Sequence, residues 1–257
     1  ILRTSNTHLD QGENILKSIK QLKKEGPDIE MYVMLGTWIK CKNAETEEPD
    51  HSQEDSLANQ LEIERGVRLA NKYQNIVKVI SVGNEAMVHW ATGYYVEPVV
   101  ILRWVNHLQE LKKNGKLDQD LWITSSDNFA SWGGGSKEYH TPDLKSLIQA
   151  VDYISLHTYP FHDTHYNPEF WGLEEDELEL DKFQQNSLLI QDAVEYSKNQ
   201  YYSTSNYVHS ISMDKPIHIG ETGWSTFSNE LFGAVGTRAA DELKAGIYFK
   251  KMREWTN

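Results

Sequence analysis

The sequence predicts an α/β fold of the TIM, or (β/α)8, barrel class. Strand-like and helix-like segments alternate along the whole chain, and several strand candidates are almost continuous apolar runs, as in parallel strands covered on both faces. The polar residues with chemical potential lie where these strands end, which is where barrel enzymes place their active sites. The length of 257 residues suits one such barrel.

The strand candidates are short segments rich in Val, Ile and Tyr. They are Ile1–Ser5, Glu30–Trp38, Val77–Glu85, Leu121–Asp127, Tyr153–Pro160 and Pro216–Trp224. A closed barrel has eight strands, and its first and eighth strands are neighbours. We therefore expect a single (β/α)-barrel domain over residues 1–257 that is truncated at both ends, with its first and eighth strands missing from the chain.

Amphipathic helical segments separate the strands. They are Gly12–Lys24, Ser56–Gln74, Val96–Lys113, Thr141–Ala150, Phe183–Asn199 and Arg238–Trp255. Ser56 precedes an amphipathic run as a cap would, and Gly26-Pro27 and Asn114-Gly115 are typical helix ends.

An open, doubly wound sheet is the alternative to a barrel. No Gly-rich phosphate motif follows the first strand, and Gly133-Gly134-Gly135 does not open a helix as a dinucleotide fingerprint would. The barrel is therefore favoured.

Composition excludes several classes of function. Hydrophobic residues make up 39% and charged residues 25% of the chain, as in globular domains rather than disordered segments. The formal net charge of −13 disfavours a nucleic-acid partner, because binding a polyanion needs a basic surface. No apolar run is long enough to predict a membrane span. Cys41 is the only cysteine, which excludes a disulfide within the chain and a zinc site built on several cysteines.

Aromatic residues are numerous, with eight Trp and thirteen Tyr. Flat aromatic faces pack against pyranose rings in sugar-binding clefts, and they fill protein cores equally well. Six aromatics are candidates for a sugar-stacking groove, with packing as the alternative for each: Trp38, Trp90, Tyr94, Tyr95, Phe161 and Trp171.

Two glutamates end apolar strands. Val79–Gly83 leads directly into Asn84-Glu85, and Ile217–Gly220 leads into Glu221. A carboxylate in such a position is costly unless it is hydrogen-bonded or used. A salt-bridged structural glutamate is the alternative for either residue alone, but the pair favours two carboxylates that converge above a barrel.

The residues around both glutamates resemble glycoside hydrolase family 17, the β-1,3-glucanase family, especially its bacterial members within the clan of retaining barrel glycosidases. The similar motifs are Val82-Gly83-Asn84-Glu85 and Gly220-Glu221-Thr222-Gly223-Trp224-Ser225. Tyr159-Pro160-Phe161 is similar to a Tyr-Pro-aromatic element on the sixth strand of that family. The three motifs occur in the family's order, so the resemblance extends over nearly the whole chain.

The resemblance implies a retaining endo-β-1,3-glucan hydrolase of laminarin type, with Glu85 as acid/base and Glu221 as nucleophile. A retaining mechanism requires the two carboxyl groups to lie roughly 5 to 5.5 Å apart. A transglycosylase of the same family would share these residues. A non-catalytic glucan-binding protein on a decayed barrel is the alternative from another class.

The remaining candidate residues follow from their positions next to this pair. We expect Asn84 to bind the sugar 2-hydroxyl, Tyr159 to donate to Glu221, and Trp224 to form the floor of the subsite at the cleaved sugar. Arg3 either reaches Glu221 or has a packing role. The residues expected to line the cleft after the fifth strand are Asp127, Asn128 and Trp132.

The expected partner is a β-glucan polysaccharide or oligosaccharide. We predict no cofactor and no catalytic metal, since the histidines lack the spacing of metal ligands. A monomer is expected, and similarity to bacterial enzymes implies a secreted, periplasmic or cell-surface protein.

Overall fold

One parallel sheet organises the chain in a computed structural model that describes residues 1–26, 28–211, 214–227 and 239–256. The strands are β1 (Leu2–Arg3), β2 (Val33–Thr37), β3 (Cys41–Lys42), β4 (Asp50–Glu54), β5 (Val77–Asn84), β6 (Trp122–Asn128), β7 (Ile154–His157) and β8 (Ile217–Glu221). Among the described residues, six of them form a parallel sheet in the order β1-β2-β5-β6-β7-β8. The six predicted strands are thereby confirmed, and the sheet is that of a partial (β/α)8 barrel.

The strand registers explain the apolar runs. All five residues of β2 are buried, as expected for a strand with neighbours on both edges and cover on both faces. β2 pairs with β5 from Val33↔Val77 to Thr37↔Val82. β5 pairs with β6, but the register shifts between Ser81 and Asn84, at the carboxyl end of β5.

Helices connect the strands. They are α1 (Asp10–Glu25), α2 (Ser56–Lys72), α3 (Pro98–Lys113), α4 (Pro142–Ala150), α5 (Pro160–Thr164), α6 (Lys182–Ile211) and α7 (Glu242–Thr256). Short helical turns cover Ala130–Gly134, a π-helical turn, and Lys137–Tyr139 and Glu177–Glu179.

Some predicted helix boundaries are corrected. Asp55, not Ser56, caps α2, because its carboxylate accepts the Ala58 N–H at 3.1 Å. α6 continues to Ile211 instead of ending at Asn199. Two of the predicted boundaries lie outside the described residues: Pro27, at a predicted helix end, and Arg238, at a predicted helix start.

The chain forms two compact units. Unit 1 comprises Ile1–Leu156 and Thr204–His218, and unit 2 comprises His157–Ser203 and the described part of Ile219–Asn257. The core of unit 1 includes the fully buried Leu35, Ile80 and Ile123 of the sheet. The core of unit 2 is a cluster that includes Phe161, Ile190 and Tyr248. A single catalytic domain over the whole chain remains a prediction.

Within the described stretches, no helix combines the length and the apolar character that crossing a membrane requires.

Candidate active site

Glu85 follows β5 directly and has a left-handed backbone, with φ of 48°. This conformation is uncommon for a residue with a side chain and is concentrated at functional sites. Gly83 has φ of 81°, and a Cβ there would lie 2.8 Å from the Cβ of Ala86. The register shift before Asn84 adds to this local bend, and such bulges re-aim side chains. The Glu85 N–H donates to the Ser126 carbonyl at 2.9 Å, which fixes the bend to β6.

Asn84 and Arg3 contact each other in unit 1. The Arg3 guanidinium donates to Oδ1 of Asn84. An arginine can only donate, so this contact fixes the orientation of the amide and leaves its nitrogen as the donor. Contact with Glu221 and a packing role were the two alternatives predicted for Arg3, and in the structure its guanidinium contacts Asn84.

Asp127 is fully buried at the end of β6. Its Oδ2 accepts the Met87 N–H and its Oδ1 accepts the Asn128 N–H, each at 2.9 Å. Burial is the main cause that raises the pKa of Asp127 to about 7, and the charge of Glu85 adds to the rise, whereas the two N–H donors oppose it. Through the Met87 N–H, Asp127 therefore anchors the loop that follows Glu85. Contrary to the prediction, it does not line an open cleft.

Trp132 and Asn128 also face the interior. Trp132 has no exposed surface, and its indole N–H donates to the Ser155 carbonyl at 3.1 Å. Asn128 is nearly buried, and its Oδ1 accepts the Ala130 N–H at 2.9 Å. The predicted cleft-lining position is wrong for Trp132, because the π-helical turn after β6 folds its side chain back against β7. The Asn128 side chain forms a local turn with the backbone where that segment begins.

Tyr94 and Trp38 form an aromatic pair in unit 1, with ring centroids 5.1 Å apart. Burial, followed by the charges of Glu85 and Asp127, raises the pKa of the Tyr94 phenol to about 12. The phenol therefore stays protonated and can donate a hydrogen bond throughout the ordinary pH range.

Glu221 ends β8 in unit 2 and is held by side chains at the end of β7 and just after it. Oη of Tyr159 donates to Oε2 of Glu221 at 2.9 Å, the contact predicted from the sequence. Nδ1 of the fully buried His157 lies 3.6 Å from the same oxygen. The contact of His157 with Glu221 was missed by the sequence reasoning. Its signal was the spacing of two residues from Tyr159 within the predicted strand Tyr153–Pro160, because residues two apart along a strand share a face.

A buried polar network lies behind this carboxylate in unit 2. The Thr158 N–H donates to the Glu221 carbonyl at 3.1 Å, and the Thr158 hydroxyl donates to Gln200 at 2.6 Å. The Thr222 hydroxyl lies 2.5 Å from Oη of Tyr248 on α7. The residues before Tyr159 and after Glu221 are thus fixed to helices, which reduces the freedom of the carboxylate.

Trp224 is half-buried in an aromatic cluster of unit 2. Its ring lies 4.9 Å from Tyr248, 5.3 Å from Phe161 and 5.5 Å from Trp171, and its indole N–H donates to the Ala239 carbonyl at 3.0 Å. Phe161 and Trp171 are buried core residues, so packing, not a sugar-stacking groove, is their position in the structure. Trp224 keeps partial exposure and is held rigidly.

The carboxyl groups of Glu85 and Glu221 are of a type that can act as acid, base or nucleophile. A carboxylate that accepts a phenol hydrogen bond is held ionised and oriented. Histidine and glutamate are also residue types that bind transition metals, so the absence of a catalytic metal remains a prediction.

Comparisons with known proteins identify a similar structure. No protein-family model matches the chain, and no curated protein matches it. An endo-laminarinase from Formosa Hel1_33_131 is 55% identical, with a TM-score of 0.94 over 99% of this chain and 65% of that chain. The chain thus spans a little under two thirds of that enzyme. A glycoside hydrolase family 17 β-1,3-glucanosyltransferase from Rhizomucor miehei is 16% identical, with a TM-score of 0.56 over 98% of this chain and 71% of that chain, and shares the fold.

Proposed function

We propose that this chain is a glycoside hydrolase of family 17 and acts as a retaining endo-β-1,3-glucanase on laminarin-type glucan. The hydrogen bond from Tyr159 to Glu221 carries the proposal, since it orients the carboxylate at the end of β8. The identity of 55% with an endo-laminarinase supports the substrate class.

In the first step, an Oε atom of Glu221 forms a bond to the anomeric carbon while the glycosidic C–O bond breaks. Glu85 gives its proton to the leaving oxygen. In the second step, Glu85 takes a proton from water, the water oxygen bonds to the anomeric carbon, and the carboxylate of Glu221 leaves. Two displacements restore the original anomeric configuration, and this mechanism requires a carboxyl separation of roughly 5 to 5.5 Å.

Neighbouring residues orient these steps. Because Arg3 engages Oδ1 of Asn84, the amide nitrogen is the group offered to the sugar 2-hydroxyl. His157 faces the oxygen of Glu221 that Tyr159 also contacts, which adds a second polar restraint. The partly exposed Trp224 provides an aromatic surface at the subsite of the cleaved sugar.

Two other functions use the same residues. A transglycosylase would pass the glycosyl group from Glu221 to a sugar hydroxyl instead of water. A glucan-binding protein would hold the chain without cleavage. We propose hydrolysis because of the similarity to a laminarinase. We further propose that the protein acts as one catalytic domain and as a monomer, and that it works outside the cytoplasm.

The test compares the wild type with Glu221→Ala on laminarin and on a mixed-linkage glucan, with new reducing ends as the readout. The wild type should cleave laminarin, and kcat of the variant should fall on the order of 10⁴-fold. Glu110→Ala, an exposed glutamate on α3, is the matched control and should retain activity. Undiminished activity of Glu221→Ala would refute the nucleophile. Glucan binding without cleavage by the wild type would favour the binding protein.

A further inference from the structure

The backbone segment that carries Glu85, the general acid of the proposed mechanism, is held by β6. The Glu85 N–H donates to the Ser126 carbonyl, and the Met87 N–H, two residues further on, donates to Oδ2 of Asp127, each at 2.9 Å. We propose that Asp127 is a positioning residue that acts through Glu85 by holding this segment. The inference rests on the proposed function and adds a residue that is fully buried and so acts only through its neighbours.

Glu85 needs this support because its backbone is strained. Its φ of 48° lies in the left-handed region, which a residue with a side chain keeps only where its surroundings fix it. The bond to Ser126 joins backbone to backbone, so a substitution leaves it in place. Asp127, by contrast, holds the segment through its side chain. The identity of residue 127 therefore decides whether the second anchor exists.

Asp127 is itself rigid enough to serve as an anchor. Its Oδ1 accepts the Asn128 N–H at 2.9 Å while Oδ2 accepts the Met87 N–H, so both oxygens of the carboxyl group are engaged. The side chain has no exposed surface in which it could rotate. A group that is fixed at both oxygens transmits its position to the loop that it binds.

The carboxyl groups of Asp127 and Glu85 are close enough to interact through their charges. Burial, and after it the charge of Glu85, raises the pKa of Asp127. Both charges also add to the effect of burial in raising the pKa of Tyr94. A general acid must lie within hydrogen-bond reach of the oxygen that it protonates. A displacement of the segment would therefore impair proton donation by Glu85 more than any other step.

The test compares kcat/KM on two substrates that differ in their need for a proton. A laminari-oligosaccharide has a leaving oxygen that must be protonated, whereas the 2,4-dinitrophenyl glycoside of the same sugar has a leaving group that departs without a proton. Asp127→Ala should lose roughly tenfold to a hundredfold on the oligosaccharide, a part of the roughly 10²–10⁴-fold that general acid catalysis contributes, and less than about threefold on the activated glycoside. Asp127→Asn keeps one acceptor oxygen and should show the same split in weaker form.

The ratio of the two kcat/KM values is independent of the fraction of protein that is folded, so a loss of stability alone does not produce the split. Asp152→Ala is the matched control, because the Asp152 carboxylate also accepts a backbone N–H of β6, that of Ile123 at 2.6 Å, but near the amino end of the strand. It should keep the wild-type ratio.

An equal loss on both substrates, or no loss, in Asp127→Ala overturns the positioning role. If that variant does not fold, the same outcomes in Asp127→Asn overturn it. Glu85→Ala should show the split in its strongest form, since the general acid itself is removed. An equal loss on both substrates in Glu85→Ala, or a wild type that cleaves neither substrate, refutes the proposed function instead.

Discussion

Replacing Asp127 with asparagine should remove a pH-dependent loss of stability. In the folded protein, Asp127 is fully buried and its pKa is raised from 3.8 to about 7, mainly by burial. In the unfolded chain the carboxyl titrates near its ordinary value. Between these two pKa values the folded state binds one more proton than the unfolded state, so the stabilising contribution is complete below about pH 4 and is lost as pH rises through about 7.

The size of the loss follows from the shift. Each pKa unit corresponds to about 1.4 kcal/mol, so a rise from 3.8 to about 7 corresponds to a total on the order of 4 kcal/mol. The slope should be about 1.4 kcal/mol per pH unit between pH 4 and pH 7 and should vanish above that range. Asparagine cannot ionise, and it also lacks one of the two acceptors used by Met87 and Asn128, which costs about 1–3 kcal/mol at every pH.

Urea unfolding at several pH values separates the two effects. The difference in unfolding free energy between the wild type and Asp127→Asn should favour the wild type most at low pH and shrink or reverse towards pH 8. Glu85→Gln should reduce the pH dependence of the wild type, because the charge of Glu85 contributes to the raised pKa. A difference that is constant from pH 4 to pH 8 would show that Asp127 is ionised in the folded protein throughout, and would refute the reasoning.

Three further substitutions test the parts of the site. Tyr159→Phe removes a hydrogen bond to a charged group, worth about 1.5–3 kcal/mol, and should lower kcat by roughly tenfold to a hundredfold in steady-state assays on laminarin, while an unchanged kcat would contradict the role of the phenol. Gly83→Ala should lower thermal stability by on the order of 1–3 kcal/mol, because φ is 81° and the new Cβ meets Ala86 at 2.8 Å; a neutral effect in calorimetry would rule out that strain. Thr222→Val should cost about 1–3 kcal/mol in urea unfolding, since the buried Tyr248 loses a partner, and Thr222→Ser, which keeps the hydroxyl, should cost less; an equal loss in both variants would contradict the role of the hydroxyl.

The sheet was predictable because burial on both faces leaves a strong pattern. β5 runs from Val77 as an apolar strand to Asn84, and this pattern located Glu85 without knowledge of the fold. The hairpin of β3 and β4 was missed, since Asp50–Glu54 has the sequence Asp-His-Ser-Gln-Glu, which has low strand propensity. The end of α6 was misplaced because its second half is rich in Tyr, Ser and Asn, which weakens the helical signal.

The strand ends that carry the candidate residues were predictable, but the directions of their side chains were not. The end of β6 was correctly identified, yet Asp127 and Trp132 point inward, and the π-helical turn that directs Trp132 has no local sequence signal. The left-handed backbone of Glu85 likewise depends on tertiary contacts, such as its N–H bond to Ser126. His157 was overlooked because a buried histidine in an apolar strand is more often a packing residue.

The identity of the nucleophile is tested most directly by trapping the glycosyl-enzyme intermediate. A 2-deoxy-2-fluoro-laminaribioside with an activated leaving group should inactivate the protein. The fluorine slows both the formation and the hydrolysis of the covalent ester, whereas the activated leaving group speeds only its formation, so the ester accumulates. Mass spectrometry of the digested protein should find one added disaccharide on the carboxyl group of Glu221, and Glu221→Gln should remain unlabelled. A label on any other residue, or cleavage that inverts the anomeric carbon and leaves no label, would contradict the proposed mechanism.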